Sequence, residues 1–597
     1  MNGEQLSFEI EKKEPIKGFP ELRWTGKRPF TAYSYFPAQL RERYGGEEEI
    51  ITGGKSQPWI NRLYWGDNLQ VMGHLLREFR GKIDLIYIDP PFDSKADYKK
   101  KIQLRGQAVT NDSTAFEEKQ YGDIWTNDEY LQFMYERLLL MKELLSDKGS
   151  IYLHCDWHKS AYLRCIMDEV FGADKFVNEI VWCYSIGGKG SRFFGRKHDT
   201  ILLYSKTSDY YFNGYDVNVV TTRKTNSHMR LKTDADGRQY QEKTDKKSGK
   251  VYKYYVDEGK IPEDYWIDIE QLNREDGERL GYPTQKPEAV IKRIISASTP
   301  PNGLVFDCFM GSGTTQAVAM KLGRRFIGAD INLGAIQTTT KRLISLAAEI
   351  DKAQLAIIKG DEPPKYTGFE VFNVNNYNFF RNPVEARQLL IDALEIQPFP
   401  TGHIYDGEKD GRMVKIMPVN RIATRADLEE LQANLPYKEF ERVKESNPGT
   451  VVLRLLIVCM GHEPDLKEGL LFGLVDYKVD LEICDILRDK TDLQLKREAE
   501  VDIAIEEGRL VIRQFYPLNL MQKLSLDKEY IEDWRQLAES VMIDWNFDGV
   551  VMEPAVTDIP DKKSLVKGIY DIPEDAGTIK VKITDLLSES LEVEVRV

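Results

Sequence analysis

Between residues 61 and 350 short apolar runs alternate with amphipathic stretches. Residues 62–65, Arg-Leu-Tyr-Trp, meet Gly66-Asp67-Asn68-Leu69, and a helical spacing follows through Leu75 and Leu76. Glycine at a strand end and Asp or Asn ahead of a helix is the turn chemistry such a join requires. The run 83–88, Ile-Asp-Leu-Ile-Tyr-Ile, predicts a second strand. From 129 to 146, Leu131, Met134, Leu138, Met141 and Leu145 recur at spacings of three and four, which predicts an amphipathic helix. Strands over 149–154, 177–184 and 200–204, with a helix over 162–170, continue the alternation. A strand over 303–306, a helix over 316–322 and a strand over 325–328 complete it. Strands that are nearly all apolar and separated by helices predict an α/β fold, a doubly wound and mainly parallel sheet covered on both faces.

The flanks are patterned differently. Residues 1–58 carry Pro15, Pro20, Pro29 and Pro37 without a sustained period and are expected to form an extended arm packed on a core domain of 59–350. The apolar pattern weakens over 207–280, which predicts an insert in that core. Residues 351–490 mix helical stretches (385–394, 425–435) with a strand over 451–459, an α+β extension. Residues 501–505 and 509–513 alternate around Gly508, a hairpin, and alternation returns at Ile579, Val581 and Ile583, then at Leu591, Val593 and Val595. A β-rich C-terminal domain over 491–597, built as a small sandwich, is expected.

Composition narrows the function classes. The 597-residue chain is 42% hydrophobic, enough for a large core. It contains no apolar run long enough to span a bilayer and no hydrophobic signal core at the N-terminus, so a cytoplasmic location without membrane contact is expected. Six cysteines lie scattered without a C-x-x-C pair or neighbouring histidines, which suggests neither a metal site nor a disulfide framework. The net charge of −14 speaks against a nucleic-acid partner until it is located. Residues 491–597 hold 13 Lys and Arg against 23 Asp and Glu, so most of the acidity belongs to the tail. That acidic tail suits protein contact or dimerisation better than DNA. Residues 221–253 hold ten Lys and Arg against four Asp and Glu, among them Arg223, Lys224, Arg230 and Lys232, interleaved with tyrosines. Cations mixed with aromatics suit phosphate and base contact. Lys95, Lys99 and Lys100 form a second basic group just after the strand 83–88.

Two motifs carry candidate chemistry. The strand 83–88 ends in Asp89-Pro90-Pro91-Phe92, where a carboxylate and a backbone carbonyl can face an exocyclic amine while an aromatic ring covers its base. The strand 303–306 runs into Asp307-Cys308-Phe309-Met310-Gly311-Ser312-Gly313-Thr314-Thr315 and then directly into a helix. The glycines let the backbone pass close to a ligand, and the helix start offers free N–H groups. No Gly-Lys-Ser/Thr follows, which excludes a triphosphate loop. Asp330, at the end of the next strand, is placed to hold ribose hydroxyls. Taken alone, this second motif suits any adenosine-containing cofactor, a dehydrogenase included.

The order Asp89-Pro-Pro-Phe92, then Tyr282-Pro283-Thr284-Gln285-Lys286-Pro287-Glu288, then 307–315 resembles the beta class of amino DNA methyltransferases, whose catalytic motif precedes its cofactor motif by circular permutation. The stretch 178–182 with Lys197-His198-Asp199 and 202–205 further resembles the modification subunits of type III restriction systems. The resemblance implies a site-specific, S-adenosylmethionine-dependent methyltransferase acting on the N6 amino group of adenine flipped from duplex DNA. It assigns catalysis to Asp89, Pro90, Pro91 and Phe92. It places the cofactor against Asp67, Thr284, Gln285, Lys286, Pro287, Asp307, Phe309, Gly311, Gly313, Thr314 and Asp330, with no metal. DNA contact falls to Lys95, Lys99, Lys100, Arg223, Lys224, Arg230 and Lys232, and 207–280 takes the place of a target-recognition segment, though a short one for a type III subunit. No helicase or nuclease motif occurs, so restriction would require a separate subunit. Methylation of cytosine N4, an RNA substrate and a non-catalytic DNA-binding specificity subunit stand as alternatives.

Overall fold

The computed structural model describes residues 20–28, 38–52, 55–91, 97–102, 105, 116–122, 127–185, 192, 194–221, 229–245, 247–273, 276–280, 282, 284–356, 366–374, 383–400, 403–419, 422–447, 449–463, 466–486, 499–526, 531, 533–561 and 563–596. Its centre is a ten-stranded sheet of β1 (Gln39–Tyr44), β2 (Asn61–Trp65), β3 (Ile83–Ile88), β4 (Leu145–Cys155), β5 (Phe176–Cys183), β6 (His198–Ser205), β7 (Tyr265–Trp266), β8 (Leu304–Asp307), β9 (Arg325–Asp330) and β10 (Phe369–Asn373). The spatial order is β1-β10-β2-β9-β8-β3-β4-β6-β5-β7. The six strands from β10 to β4 run parallel to one another, β1 is antiparallel to β10, and β6 is antiparallel to both β4 and β5.

Helices cover both faces, as the uninterrupted apolar strands require. On one face α1 (Asn68–Phe79), α2 (Asn127–Leu144) and α3 (Ser160–Phe171) pack on Ile86, Ile88, Leu304 and Phe306. On the other, α4 (Glu288–Ser298), α5 (Thr314–Lys321) and α6 (Leu333–Ala356) pack on Leu85, Tyr87 and Val305. Alternate residues of β3 and β8 thus feed opposite cores, the period-two consequence of a strand buried on both sides. The expected doubly wound α/β fold is present. The chain leaves β3 toward one face and β8 toward the other, so these neighbouring strands form the topological switch point, where open α/β sheets bind ligands.

The sheet reaches beyond 59–350. β1 pairs with β10 and, through Arg43 and Met552, also meets the C-terminal part of the chain. Neither strand is visible as part of the core in the sequence, because each is joined to it by pairing between distant segments. Within 207–280 lies a three-stranded antiparallel sheet of Leu231–Thr233, Gln239–Thr244 and Val251–Tyr255. A five-stranded sheet gathers strands between Gln397 and Asp485. Toward the C-terminus a three-stranded and a four-stranded sheet share one core of Leu510, Ile512, Val541, Ile543, Val581 and Ile583. The buried ion pair between Lys582 and Glu42, and Gln337 donating to Ser590 Oγ at 2.7 Å, tie these sheets to β1 and α6.

Candidate active site

β3 and β8 end side by side, which brings Asp89 and Asp307 to one cavity of about 350 Å³. Its lining includes Asp67, Asp89, Pro91, Thr284, Gln285, Lys286, Asp307, Phe309, Gly311, Thr314 and Asp330. Residues predicted from stretches up to 263 positions apart therefore converge. Pro90, Pro287 and Gly313 are not part of the lining: Pro287 precedes α4 as its N-cap and Gly313 precedes α5. Phe92 lies outside the described residues.

The glycine turn is built by its neighbours. Asp307 accepts from the Phe309 N–H at 3.0 Å and from the Thr315 hydroxyl at 2.6 Å, which ties strand, turn and helix start together. Asp330 accepts from the Gly311 N–H at 2.9 Å and from the Asn332 N–H at 2.8 Å, leaving each carboxylate oxygen further lone pairs for a ligand. Burial pushes Asp307 up to about 7 and Asp330 up to about 6, against the hydrogen bonds that pull both down. Gly313 has φ +71°, and a Cβ there would stand 2.5 Å from Thr339 Cγ2. Gly313→Ala is expected to destabilise the fold by about 2–4 kcal/mol, combining the left-handed backbone penalty with overpacking. A thermal or urea denaturation series checks this.

Asp67 caps α1 by accepting from the Leu69 N–H at 2.8 Å and pairs with Arg137 at 3.1 Å. Arg137 in turn lies 3.4 Å over the Phe133 ring, and Phe133 faces Phe309 across the cavity wall with ring centroids 6.1 Å apart. Gln285 anchors its own turn, bonding the backbone of Glu278 and Leu280. Lys286 lines the cavity and has a partner the sequence reading did not give it. Its Nζ donates to Asp89 Oδ2 at 2.5 Å, so it serves the tetrad's acid. The partner oxygen, Asp89 Oδ1, is buried and has no hydrogen-bond partner among the described residues.

A histidine missed by the sequence reading sits behind this pair. His154, fully buried, bonds Tyr87 Oη through Nδ1 at 2.8 Å and Asp199 Oδ2 through Nε2 at 3.1 Å. Tyr184 donates to Asp199 Oδ1 at 3.1 Å. Burial alone would raise Asp199, but the hydrogen bond and field of His154, with the Lys286 charge, hold it below the usual carboxylate range. The only available signal was the pair of polar residues inside otherwise apolar strands.

The basic residues are less gathered. Arg230 is exposed, and Lys232 pairs with Glu242 on the adjacent strand. Lys99 and Lys100 lie on a strand, Asp97–Ile102, outside the main sheet. Lys95, Arg223 and Lys224 fall outside the described residues.

A family model described as a DNA methylase of the N6/N4 type matches residues 83–341, which span both motifs. The type II methyltransferase M1.MboII of Moraxella bovis is 33% identical over 256 residues, 42% of this chain and 85% of that protein. The chain belongs to the DNA methylase family. Two further relatives of this methylase are the DNA adenine methyltransferase YhdJ of Escherichia coli and the type III restriction-modification enzyme StyLTI Mod subunit of Salmonella typhimurium. The first is 29% identical over 46% of this chain and 81% of its own length. The second is 27% identical over 44% of this chain and 50% of its own length. The methylase's cavity suits S-adenosylmethionine, the methyl donor of this family. Asp307 and Asp330 flank the glycine turn with acceptors suited to the hydroxyl and amino groups of that cofactor, and Asp330 closes the strand next to the turn. Among the described residues no cluster of His, Cys, Asp and Glu could hold a metal ion, and no helix is long and apolar enough to cross a membrane.

Proposed function

We propose that this methylase transfers the methyl group of S-adenosylmethionine to the N6 amino group of adenine in double-stranded DNA. The observation that carries the reading is Asp89 Oδ1, a buried acceptor without a hydrogen-bond partner among the described residues, on a residue that lines the same cavity as the glycine turn. When bound, S-adenosylmethionine supplies an activated methyl group on a positively charged sulfur. The chain's own work is to bind, orient and exclude water. Asp330 holds the ribose hydroxyls, and the glycine turn with the start of α5 receives the rest of the cofactor. Asp89 Oδ1 accepts an N–H bond of the amino group, which helps turn the nitrogen lone pair toward the methyl. Phe92 covers the base. Fixing the two reactants in line accounts for much of the acceleration. An adenine reaches such a cavity only by leaving the base stack.

The choice of adenine rests on the tetrad beginning with Asp and on the relative named as an adenine methyltransferase. The relatives named as type II and type III enzymes support a place in a restriction-modification system, with cleavage carried by a separate subunit and with cytoplasmic DNA as substrate. Arg230 and its basic neighbours in the 207–280 segment are proposed to meet the DNA backbone, and the acidic C-terminal sheets to meet protein, a second copy included. Sequencing of DNA from cells expressing the chain, with detection of modified bases, is expected to show N6-methyladenine at one recurring sequence. Methyl groups on cytosine N4, or none, would overturn the proposal.

A further inference from the structure

Lys286 is a cation with little access to water, its side chain 11% exposed, placed against an acid that must itself remain available to substrate. Burying an ammonium group is costly unless opposite charge compensates it. Asp89 supplies that charge directly through Oδ2, and Asp199 supplies a second negative charge within electrostatic range. Asp199 is itself fixed at both oxygens, by His154 and by Tyr184. The His154 ring is fixed at its other nitrogen by the Tyr87 hydroxyl, and Tyr87 lies two residues before Asp89 on the same chain segment. Hydrogen bonds join Asp199, His154 and Tyr87 in a chain that ends two residues before Asp89, and Lys286 joins Asp89 directly while feeling the Asp199 charge through space.

This arrangement divides the two oxygens of Asp89 between two tasks. A carboxylate that rotates freely about its last bond offers either oxygen in many directions. Lys286, bound to Oδ2, removes that freedom and leaves Oδ1, buried and without a hydrogen-bond partner among the described residues, as the free acceptor of a residue that lines the cavity. A second donor, such as an amino group, then finds an acceptor already oriented, and no protein group has to reorganise when it arrives. Preorganisation of this kind lowers the cost of reaching the transition state and has little effect on the binding of a cofactor that touches other residues.

Resting on the methyl-transfer reading above, we infer that Lys286 is a positioning residue which holds Asp89 so that Oδ1 faces the amino group, and that Asp199, fixed by His154 and Tyr184, supports the Lys286 charge through space. Lys286 comes from the segment before α4, and Asp199 from the start of β6, two elements separate from the strand that bears the acid. That arrangement places the catalytic acid under the control of three parts of the fold.

The test compares the wild type with Lys286→Met, Lys286→Arg, Asp199→Asn and His154→Gln. Three readouts are taken: transfer of labelled methyl to DNA grown without methylation, the cofactor dissociation constant by calorimetry, and the crystal structure around Asp89. Lys286→Met is expected to lower kcat about 100-fold, the scale set by a misplacement of about 1 Å, with the dissociation constant within about threefold of wild type. Lys286→Arg, which keeps the charge, is expected to recover at least about tenfold of that loss. Asp199→Asn and His154→Gln should each cost about tenfold in kcat by the same loss of alignment. In crystals, the Asp89 carboxylate should turn away in Lys286→Met and hold its place in Lys286→Arg. Wild-type kcat in Lys286→Met, a loss seen wholly as weaker cofactor binding, or an unmoved Asp89 would each overturn the inference. A wild type that transfers no methyl to any DNA would instead sink the functional reading, and the position of Asp89 in the two crystal structures would still decide the role of Lys286.

Discussion

Asp89→Ala is expected to lower methyl transfer to DNA by about 10²–10³-fold, the range for losing one preorganised hydrogen-bond partner of the reacting group, while cofactor affinity stays within about threefold of wild type. Asp89 stands at the end of β3, across the cavity from the glycine turn that ends β8, so the methyl acceptor and the methyl donor are served by different strands. Truncation removes the open Oδ1 and also strips Lys286 of its direct partner. A largely buried cation without its carboxylate is destabilising, so part of the loss in the alanine variant is structural. Asp89→Asn separates the two effects, because it keeps the shape and one acceptor oxygen while removing the charge. Both variants should retain a cooperative unfolding transition, and both should be assayed by labelled-methyl transfer alongside calorimetric titration of the cofactor. Robust methylation by Asp89→Ala would remove the tetrad from the mechanism.

Cofactor binding is expected to tighten about tenfold between about pH 5 and pH 7, and to lose both strength and pH dependence in Asp330→Asn. In the free protein burial pushes the Asp330 carboxyl up to about 6, so it is mostly protonated at the lower pH and mostly ionised at the higher. Ribose hydroxyls donate to the ionised form, and a sulfonium cation in the same cavity favours it too. Binding therefore selects the ionised carboxylate and releases a proton, which calorimetry in buffers of different ionisation enthalpy detects. The cofactor-free fold shows the opposite trend. Asp330 and Asp307 both titrate above their ordinary value of 3.8, so between about pH 4 and pH 7 the folded chain binds more protons than the unfolded one. Its stability contribution from these acids is present at low pH and is lost as pH rises through 6 to 7. An affinity that stays flat over the same range would remove Asp330 from the cofactor site.

Much of this was legible in the chain itself. Strand, glycine turn, helix, strand and acid between 303 and 330 are local patterns, each set by neighbours within one or two turns of backbone, and the structure reproduces them as β8, α5 and β9. The same holds for β3 and its terminal tetrad, and for Asp67, whose role as the cap of α1 was apparent from Gly66-Asp67-Asn68. The permuted order of the motifs is a property of the sequence alone.

Other features depended on contacts between distant segments. β10 joins the sheet by pairing with β2, and β1 joins it at the edge by pairing with β10, and no local period announces strands whose partners lie hundreds of residues away. Lys286 lines the cavity where the sequence reading put it, and its pairing with Asp89 across 197 residues of chain is visible only in the fold. His154 looked like one more polar residue at the end of a strand, and only the antiparallel register of β6 against β4 and β5 sets it beside Asp199. The sequence by itself determined which chemistry the chain carries and in what order. The tertiary structure alone decided which side chains support that chemistry, because strand order and register bring together groups that local propensity cannot connect.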